Sequence, residues 1–128
     1  MIKKNTILKV IDNSGAKTAM CIYLGKGFKK NSANLGDTIV VTVKTLRKKR
    51  RLLSKVKKGD VCKALIVRVK KKNFQNKFGD FCFFYENCIV LLNKQNKYIF
   101  TRIFGGILAI FRYSRFSKII SLSSGIQN

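Results

Sequence analysis

One stretch of the chain concentrates positive charge and could bind phosphate. Residues 45–60 read TLRKKRRLLSKVKKGD, with eight Lys and Arg and a single acid at the end. Like charges at this spacing repel one another, so the stretch favours a polyanionic partner. Each phosphate that a Lys or Arg contacts releases a condensed counterion, which is a large source of affinity for nucleic acids. A second cluster, Lys70–Lys72, ends the next predicted strand. We expect the two clusters to share one end of the fold if their strands are neighbours.

The charge balance of the whole chain points to the same class of partner. The 128 residues include 28 Lys and Arg against 5 Asp and Glu, a net charge of +23, which favours RNA, DNA or an anionic membrane surface. The longest apolar run, residues 103–111, is far shorter than the roughly 20 residues that a spanning helix needs, so we expect no membrane insertion. A cationic membrane-surface protein that uses residues 107–116 stays open as an alternative.

The residues that usually perform catalysis or bind metals are sparse. The chain has no His and only scattered acids, so the usual general base is missing. We interpret Asp12, in the sequence DNSG, as a hydrogen-bond acceptor within a turn. Cys21, Cys62, Cys82 and Cys88 form no C-x-x-C pair, and we predict reduced, buried, metal-free thiols. We therefore expect no enzyme, no cofactor and no metal site.

Short apolar runs with a period of two predict an all-β fold. Strands are predicted over residues 6–12, 19–25, 38–46, 61–72 and 82–93, the last of them broken near Glu86 and Asn87. The DNSG turn joins the first two strands in a hairpin. In the third strand, Ile39, Val41 and Val43 share one face.

The C-terminal part changes character after Thr101. Apolar residues at positions 107, 110, 111 and 116 have a partly helical spacing. They predict one or two short helices after Gly105-Gly106, followed by a short extended end. The fold class is thus all-β with a small helical tail: a closed five-stranded β-barrel plus one or two short C-terminal helices. We expect one domain, 1–128, with the barrel at about 1–100 and the C-terminal helical segment at about 102–128.

Aromatic residues cluster at the start of the last predicted strand. Alternation places Phe81, Phe83 and Tyr85 on one side and Phe84 on the other. We favour filling of the barrel interior as their role. Exposure to solvent would instead favour a free-standing single-strand nucleic-acid-binding barrel, which stacks bases on aromatic side chains.

Five sequence segments, in order, resemble one protein family. They are DNSGAK (12–17) followed by MCI (20–22), VKKGDV.KALIVR (56–68), NCIVLLN (87–93), TRIFG (101–105) and KIISL (118–122). Together they are similar to the universal large-subunit ribosomal protein L-fourteen family, from about residue 2 to residue 122. Each match alone is weak, and five in order make a strong signal.

The resemblance implies both a fold and a function. It implies a closed five-stranded barrel with a C-terminal helical segment, and a structural constituent of the large ribosomal subunit. Such a protein binds large-subunit rRNA at the subunit interface, neighbouring large-subunit ribosomal proteins, and small-subunit rRNA across the interface. Its C-terminal face also receives a ribosome-silencing factor that blocks subunit joining. The chain departs from the family in its longer, Pro-free basic stretch, in Phe78, and in Gly106 where Pro is typical.

Two sets of residues carry these expectations. We expect a mobile basic stretch whose cations order only against the RNA backbone. The residues expected to bind rRNA are Lys17, Lys44, Arg47, Lys48, Lys49, Arg50, Arg51, Lys55, Lys57, Lys58, Arg68, Lys70, Lys71 and Lys72. The residues expected on the intersubunit or factor-docking face are Thr101, Arg102, Arg112, Arg115 and Lys118.

The composition also indicates a compartment. Pro, His and Trp are absent, whereas Lys, Ile, Asn and Phe, which have A/T-rich codons, are abundant. The resemblance begins at or near Met1, leaving no room for a transit peptide. We expect a protein made inside a mitochondrion and used by its ribosome, with a plastid or an endosymbiont cytoplasm as alternatives.

Overall fold

Five strands close into a barrel, as the apolar runs predict. The computed structural model describes residues 1–25, 31–50, 52–74, 79 and 81–127, with the backbone alone at 50, 72–74 and 127. Neighbouring strands are antiparallel except the first and the last, which close the barrel in parallel. The barrel strands are β1 (Ile7–Val10), β2 (Ala16–Tyr23), β3 (Thr38–Leu46), β4 (Val61–Arg68) and β7 (Cys88–Leu92).

Smaller elements complete the described part of the chain. Strands β5 (Lys72–Phe74) and β6 (Phe81–Phe83) form a hairpin between β4 and β7. Strands β8 (Ile103–Leu108) and β9 (Ser123–Gln127) pair in parallel. Between them lie a 3-10 helix, Ala109–Tyr113, and one short α-helix, α1 (Lys118–Leu122). A further 3-10 helix, Lys48–Arg50, follows β3. The prediction of an all-β fold with a small helical tail is confirmed.

The barrel interior follows the period of two. Ile39, Val41 and Val43 are buried along β3, as predicted, because alternate side chains of a strand point to the same face. On β2 the buried positions belong to small residues, Ala19 and Cys21, since a narrow barrel has room for few large side chains. The interior is therefore a packed core.

Strands β4 and β7 are buried on both faces. Ile66 and Leu91 belong to the interior cluster, whereas Leu65 and Val90 face an outer cluster with residues of the C-terminal segment. Coverage on both faces explains why these strands read as continuous apolar runs rather than as alternating ones. The outer cluster comprises Ile11, Leu65, Val67, Cys88, Val90, Leu92, Phe100, Ile103, Ile107, Leu108, Phe111 and Ile119.

The C-terminal apolar residues are used for packing against the barrel. Ile107, Phe111 and Ile119 are buried, so they are withheld from a bilayer surface, which argues against the membrane-surface alternative. No helix within the described ranges has the length and apolar character required to cross a membrane.

Two local predictions are wrong. The break predicted at Gly105-Gly106 is absent, because strand β8 runs through both glycines and pairs with β9 in a register that sets Gly106 opposite Gly125. The one or two short helices predicted after the glycines are present, as the 3-10 helix Ala109–Tyr113 and α1. The extended end predicted after the helices is present as β9. Strand β4 ends at Arg68 rather than continuing to residue 72. The break predicted near Glu86 and Asn87 is confirmed, since β6 and β7 are separate strands.

The thiols lie largely inside the fold. Cys21, Cys62 and Cys88 are buried and Cys82 is half-buried, and none of them forms a disulfide. Burial, with a smaller effect of the negative charges of Asp12 and Asp60, raises the pKa of Cys62 to about 11. The thiol form of Cys62 is thus strongly favoured at neutral pH.

The DNSG turn anchors the connection between β3 and β4, residues 47–60, which we term the basic connection. The Arg47 amide donates to the Gly15 carbonyl at 2.9 Å, and the Lys55 amide donates to the Ser14 carbonyl at 2.8 Å. Ser54 lies so close to Gly15 that a Cβ on Gly15 would stand 2.8 Å from the Ser54 Cβ. Gly15 also has a φ of +103°, which favours glycine.

We expect Gly15→Ala to destabilise the protein more than Gly59→Ala. Both positions have positive φ, at +103° and +89°, but a Cβ on Gly59 meets no atom within 4 Å. Gly59→Ala should therefore lower the free energy of unfolding by about 1–2 kcal/mol, the cost of left-handed backbone for an L-residue. Gly15→Ala adds a clash with Ser54. Urea denaturation measures both, and equal losses would contradict the close packing of the basic connection on the turn.

Candidate nucleic-acid interface

A buried carboxylate organises the turn on which the basic connection rests. Asp12 is fully buried. Its Oδ1 accepts from the Ser14 amide at 3.0 Å and from the Ser14 hydroxyl, and its Oδ2 accepts from the Leu91 amide at 2.8 Å. The acceptor role predicted for Asp12 is confirmed. Burial raises the pKa of Asp12 above 3.8, and the hydrogen bonds and the charge of Arg47 oppose that shift.

The next residue ties the same turn to the C-terminal segment. The Asn13 Oδ1 accepts from the amides of Thr101 and Arg102, at 2.9 Å and 3.2 Å. The Asn13 Nδ2 donates to the Thr101 hydroxyl at 2.8 Å, and the Phe104 amide donates to the Ile11 carbonyl at 2.8 Å. The backbone of the predicted docking face is therefore held by the turn that also holds the basic connection.

Arg47 is a structural residue in this fold. Its side chain is half-buried, with Nη2 donating to the Val10 carbonyl at 2.9 Å and Nε to the Ala16 carbonyl at 3.4 Å. Its guanidinium lies 5.5 Å from the centre of the Phe104 ring, and that of Arg102 lies at the same distance. The prediction that Arg47 orders only against RNA is wrong, because protein carbonyls already engage it.

Arg68 has a comparable role on strand β4. It is half-buried and donates from Nε to the Gly106 carbonyl at 3.0 Å and from Nη2 to the Phe104 carbonyl at 2.8 Å. A Cβ on Gly105 would come within 3.1 Å of the Arg68 Cζ. Arg68 thus joins β4 to β8, and its predicted contact with RNA stays a prediction.

The remaining described cations of the predicted set are exposed lysines. They lie on β2 and β3, along the basic connection, and after β4. Nothing is described of the Arg50 and Lys72 side chains, and Arg51 and Phe78 lie outside the described residues. The exposed members are Lys17, Lys44, Lys48, Lys49, Lys55, Lys57, Lys58, Lys70 and Lys71.

The two basic clusters do not share one end of the barrel. β3 and β4 are antiparallel neighbours, so the basic connection lies at the start of β4, whereas Lys70 and Lys71 follow its end. The expectation of a single basic end is therefore wrong. Lys70 instead lines a hollow on the outer side of β1 together with Lys17 of β2.

Three of the five predicted docking residues line two hollows. Thr101 and Lys118 line the first, of about 480 Å³, together with Tyr98. Arg115 lines the second with Lys63. Asn96 lines both hollows, which makes them adjacent.

Two of the predicted docking residues lie outside both hollows. Arg102 and Arg112 are exposed, and neither lines the two hollows. The sequence reasoning missed Lys63, although a lone Lys at a partly exposed position in an apolar strand is a usable signal. It also missed Lys97, which lines the first hollow.

The aromatic cluster is exposed. The exposed fractions are 55% for Phe81, 44% for Phe83 and 81% for Tyr85, whereas Phe84 is half-buried beneath the Arg68 guanidinium. Alternation thus assigned the sides correctly, but the favoured role in the barrel interior is wrong. Exposure is the property expected of the free-standing barrel alternative. Among the described residues, no group of His, Cys, Asp and Glu is arranged to hold a metal ion.

Comparison with known proteins decides between these alternatives. The family model of ribosomal protein L14p/L23e matches residues 1–127. The chain belongs to this ribosomal protein family. It is 43% identical over 126 residues to the large ribosomal subunit protein uL14 of Carsonella ruddii (strain PV), which covers 98% of this chain and 99% of that protein. A member of the L14p/L23e family is a structural constituent of the large ribosomal subunit and not an enzyme, so the free-standing barrel is not favoured.

The buried carboxylate makes a prediction about pH. Because burial raises the pKa of Asp12 above 3.8, the folded chain keeps a proton between pH 3.8 and the raised pKa that the unfolded chain has released. The contribution of Asp12 to stability is therefore full below pH 3.8 and is lost as the pH rises through the folded pKa. We expect the free energy of unfolding of the wild type to fall relative to that of Asp12→Asn over this window.

Urea denaturation of both proteins at a series of pH values measures the difference. The amide side chain introduced by Asp12→Asn does not titrate. The pH dependence that all other groups give to the free energy of unfolding is the same in both proteins to first order, so it cancels in the difference. A difference that stays constant with pH, or that changes in favour of the wild type as the pH rises, would show that hydrogen bonds and Arg47 outweigh burial.

Proposed function

We propose that this large-subunit protein binds rRNA through exposed lysines presented by the anchored basic connection and by the surface of β2 and β3. The observation that carries the proposal is the row of exposed cations, Lys48, Lys49, Lys55, Lys57 and Lys58, on a connection fixed at Gly15 and Ser14. With 28 cations and 5 acids in the chain, most cations have no acid to pair with. Phosphate supplies the missing negative charge.

The mode of binding follows from the side chains. A Lys ammonium is a strongly hydrated point charge on a flexible stem, which suits contact with phosphate oxygens and carries no information about base sequence. We therefore propose backbone binding for these lysines. Arg50, Arg51 and Lys72 belong to the same runs of sequence and are included in the proposal.

Neutralising exposed lysines and neutralising a structural arginine should have different effects. We expect Lys48→Gln with Lys49→Gln to reduce the slope of log affinity against log salt by roughly 0.7–0.9 for each phosphate that the variant no longer neutralises. The free energy of unfolding should stay nearly unchanged. Arg47→Gln should lower the free energy of unfolding by about 1.5–3 kcal/mol, since the carbonyls of Val10 and Ala16 lose a charged donor.

Filter binding to large-subunit rRNA fragments at several salt concentrations measures the first effect, and urea denaturation the second. An unchanged salt slope in the Lys48/Lys49 variant would contradict the proposed interface. An Arg47→Gln protein as stable as the wild type would contradict the structural role of Arg47.

We further propose that one surface, which we term the C-terminal side, faces the small subunit and contacts its rRNA. The same surface receives a ribosome-silencing factor. Its residues are Thr101, Arg102, Arg112, Arg115 and Lys118. Thr101 and Lys118 line one hollow, and its apolar part includes Phe100 and Leu122. A hollow lined by apolar side chains and a cation suits a protein factor with an acidic edge. Arg102 next to Thr101, with Arg112 and Arg115, adds positive charge for RNA of the small subunit.

Charge reversal at the C-terminal side tests this second part. We expect Arg102→Glu with Lys118→Glu to reduce the joining of large and small subunits, because attraction to phosphate becomes repulsion. Both side chains are exposed, so folding should be unchanged. A control, Lys3→Glu with Lys4→Glu, makes the same charge change elsewhere on the exposed surface.

The measurement is sedimentation of subunits reconstituted with each variant, with and without the silencing factor. Joining equal to that of the control variant would count against the assignment. So would a ribosome structure in which Arg102 is buried against large-subunit rRNA.

We propose that this protein is part of a ribosome in a compartment whose genome is rich in A/T. The absence of Pro and the abundance of Lys, Asn, Ile and Phe support a mitochondrion. Similarity to a protein of Carsonella ruddii, a bacterial endosymbiont, supports the endosymbiont alternative. The position of the gene, in an organellar or in a bacterial genome, distinguishes the two.

A further inference from the structure

The outer side of β1 carries a hollow with an aromatic wall. The hollow measures about 520 Å³, and its lining includes Tyr85, Lys17 and Lys70. Tyr85 is 81% exposed. Its ring meets that of Phe83 edge to face, with centroids 5.3 Å apart and an interplanar angle of 85°. Phe83 therefore supports one edge of the Tyr85 ring and leaves most of its surface open to solvent.

Positive charges outnumber negative ones around this hollow. Glu86 lies in its lining, but the Lys9 ammonium lies 2.8 Å from the Glu86 carboxylate. Lys17 and Lys70 are exposed in the same lining. The Lys70 amide donates to the Asn87 side chain at 2.8 Å, which fixes the backbone from which the Lys70 side chain extends.

We infer that this hollow binds an unpaired nucleotide of rRNA, with its base stacked on Tyr85 and its phosphates contacted by Lys17 and Lys70. An aromatic face beside cations is the arrangement that binds single-stranded nucleic acid, because every base has a π-face and every linkage a charge. A base within a duplex is already stacked on both sides, so the site discriminates against paired RNA. The inference rests on the proposed rRNA binding and adds the class of nucleotide.

An acidic protein segment would also meet two cations here. The aromatic face favours the nucleotide, because Tyr85 presents a broad exposed ring and the single acid in the lining is already paired with Lys9. Stacking uses the whole ring, whereas an ion pair with Lys17 or Lys70 makes no use of it.

The test compares a short single-stranded RNA with a fully paired RNA duplex, using the full-length chain. We expect Tyr85→Ala to weaken binding of the single strand by about 5- to 150-fold, the range for loss of one base-stacking aromatic. Duplex binding and the salt slope should not change, since Tyr85 carries no charge. Tyr85→Phe should bind as the wild type does. Tyr113→Ala, which removes a side chain that is 93% exposed on the C-terminal side, serves as the matched control.

A spectroscopic readout reports on stacking directly. The chain contains no Trp, so Tyr85→Trp introduces a single indole at the hollow and Tyr113→Trp a single indole elsewhere. Quenching of the first by single-stranded RNA, without comparable quenching of the second, supports the site. In Lys17→Gln with Lys70→Gln, a reduced salt slope for the single strand supports the phosphate contacts.

Three outcomes would contradict the inference, and they distinguish failure of the stacking site from failure of the proposed rRNA binding. If Tyr85→Ala binds the single strand as tightly as the wild type does, the stacking site is overturned and the hollow is left to a protein neighbour. If Tyr113→Ala weakens binding equally, the effect is not specific to the hollow, and the site is again overturned. If the wild type binds neither RNA and neutralising Lys48 and Lys49 has no effect, the proposed rRNA binding fails together with the site.

Discussion

The buried carboxylate of Asp12 is the constraint on which much of the remaining structure depends. A charge removed from water is costly unless it is hydrogen-bonded, and here the donors come from the turn itself and from β7. The turn is thereby fixed to the strand that closes the barrel. Asn13 then holds the backbone at Thr101 and Arg102, and the carbonyls of Ser14 and Gly15 hold the basic connection. Four adjacent residues thus set the positions of two distant parts of the chain.

The described cations of the predicted rRNA-binding set divide by chemistry. Arg47 and Arg68 bind main-chain carbonyls and lie over aromatic rings, which suits a planar, weakly hydrated guanidinium with several donors. Among the described residues of the predicted rRNA-binding set, the exposed side chains are those of lysines, whose ammonium groups keep their hydration and reach outward on flexible stems. The high positive charge therefore includes cations with two different roles. Two arginines stabilise the junction between barrel and C-terminal segment, and the lysines remain available to a polyanion.

Much of the fold could be predicted from local patterns, and the errors have physical causes. The alternation of Ile39, Val41 and Val43 identifies a strand with one buried face, because side-chain direction along a strand is a local property. Alternation also placed Phe83 and Tyr85 together, yet it does not reveal which side faces solvent. The strand through Gly105-Gly106 depends on pairing with β9, which is distant in sequence. Residue type alone could not show that carbonyls of β1, β2 and β8 would engage Arg47 and Arg68.

Anchoring of the basic connection has a consequence for affinity. Ordering one residue costs about 1–2 kcal/mol of backbone entropy, and a segment that orders only on binding has its affinity reduced by that amount. The hydrogen bonds at Arg47 and Lys55 and the buried side chain of Val56 fix both ends of the segment that carries Lys48 and Lys49. Part of the ordering cost is therefore met when the barrel folds. Packing inside the protein and binding of RNA are coupled in this way: interior contacts that hold the turn also lower the entropy that the lysines lose when they reach phosphate.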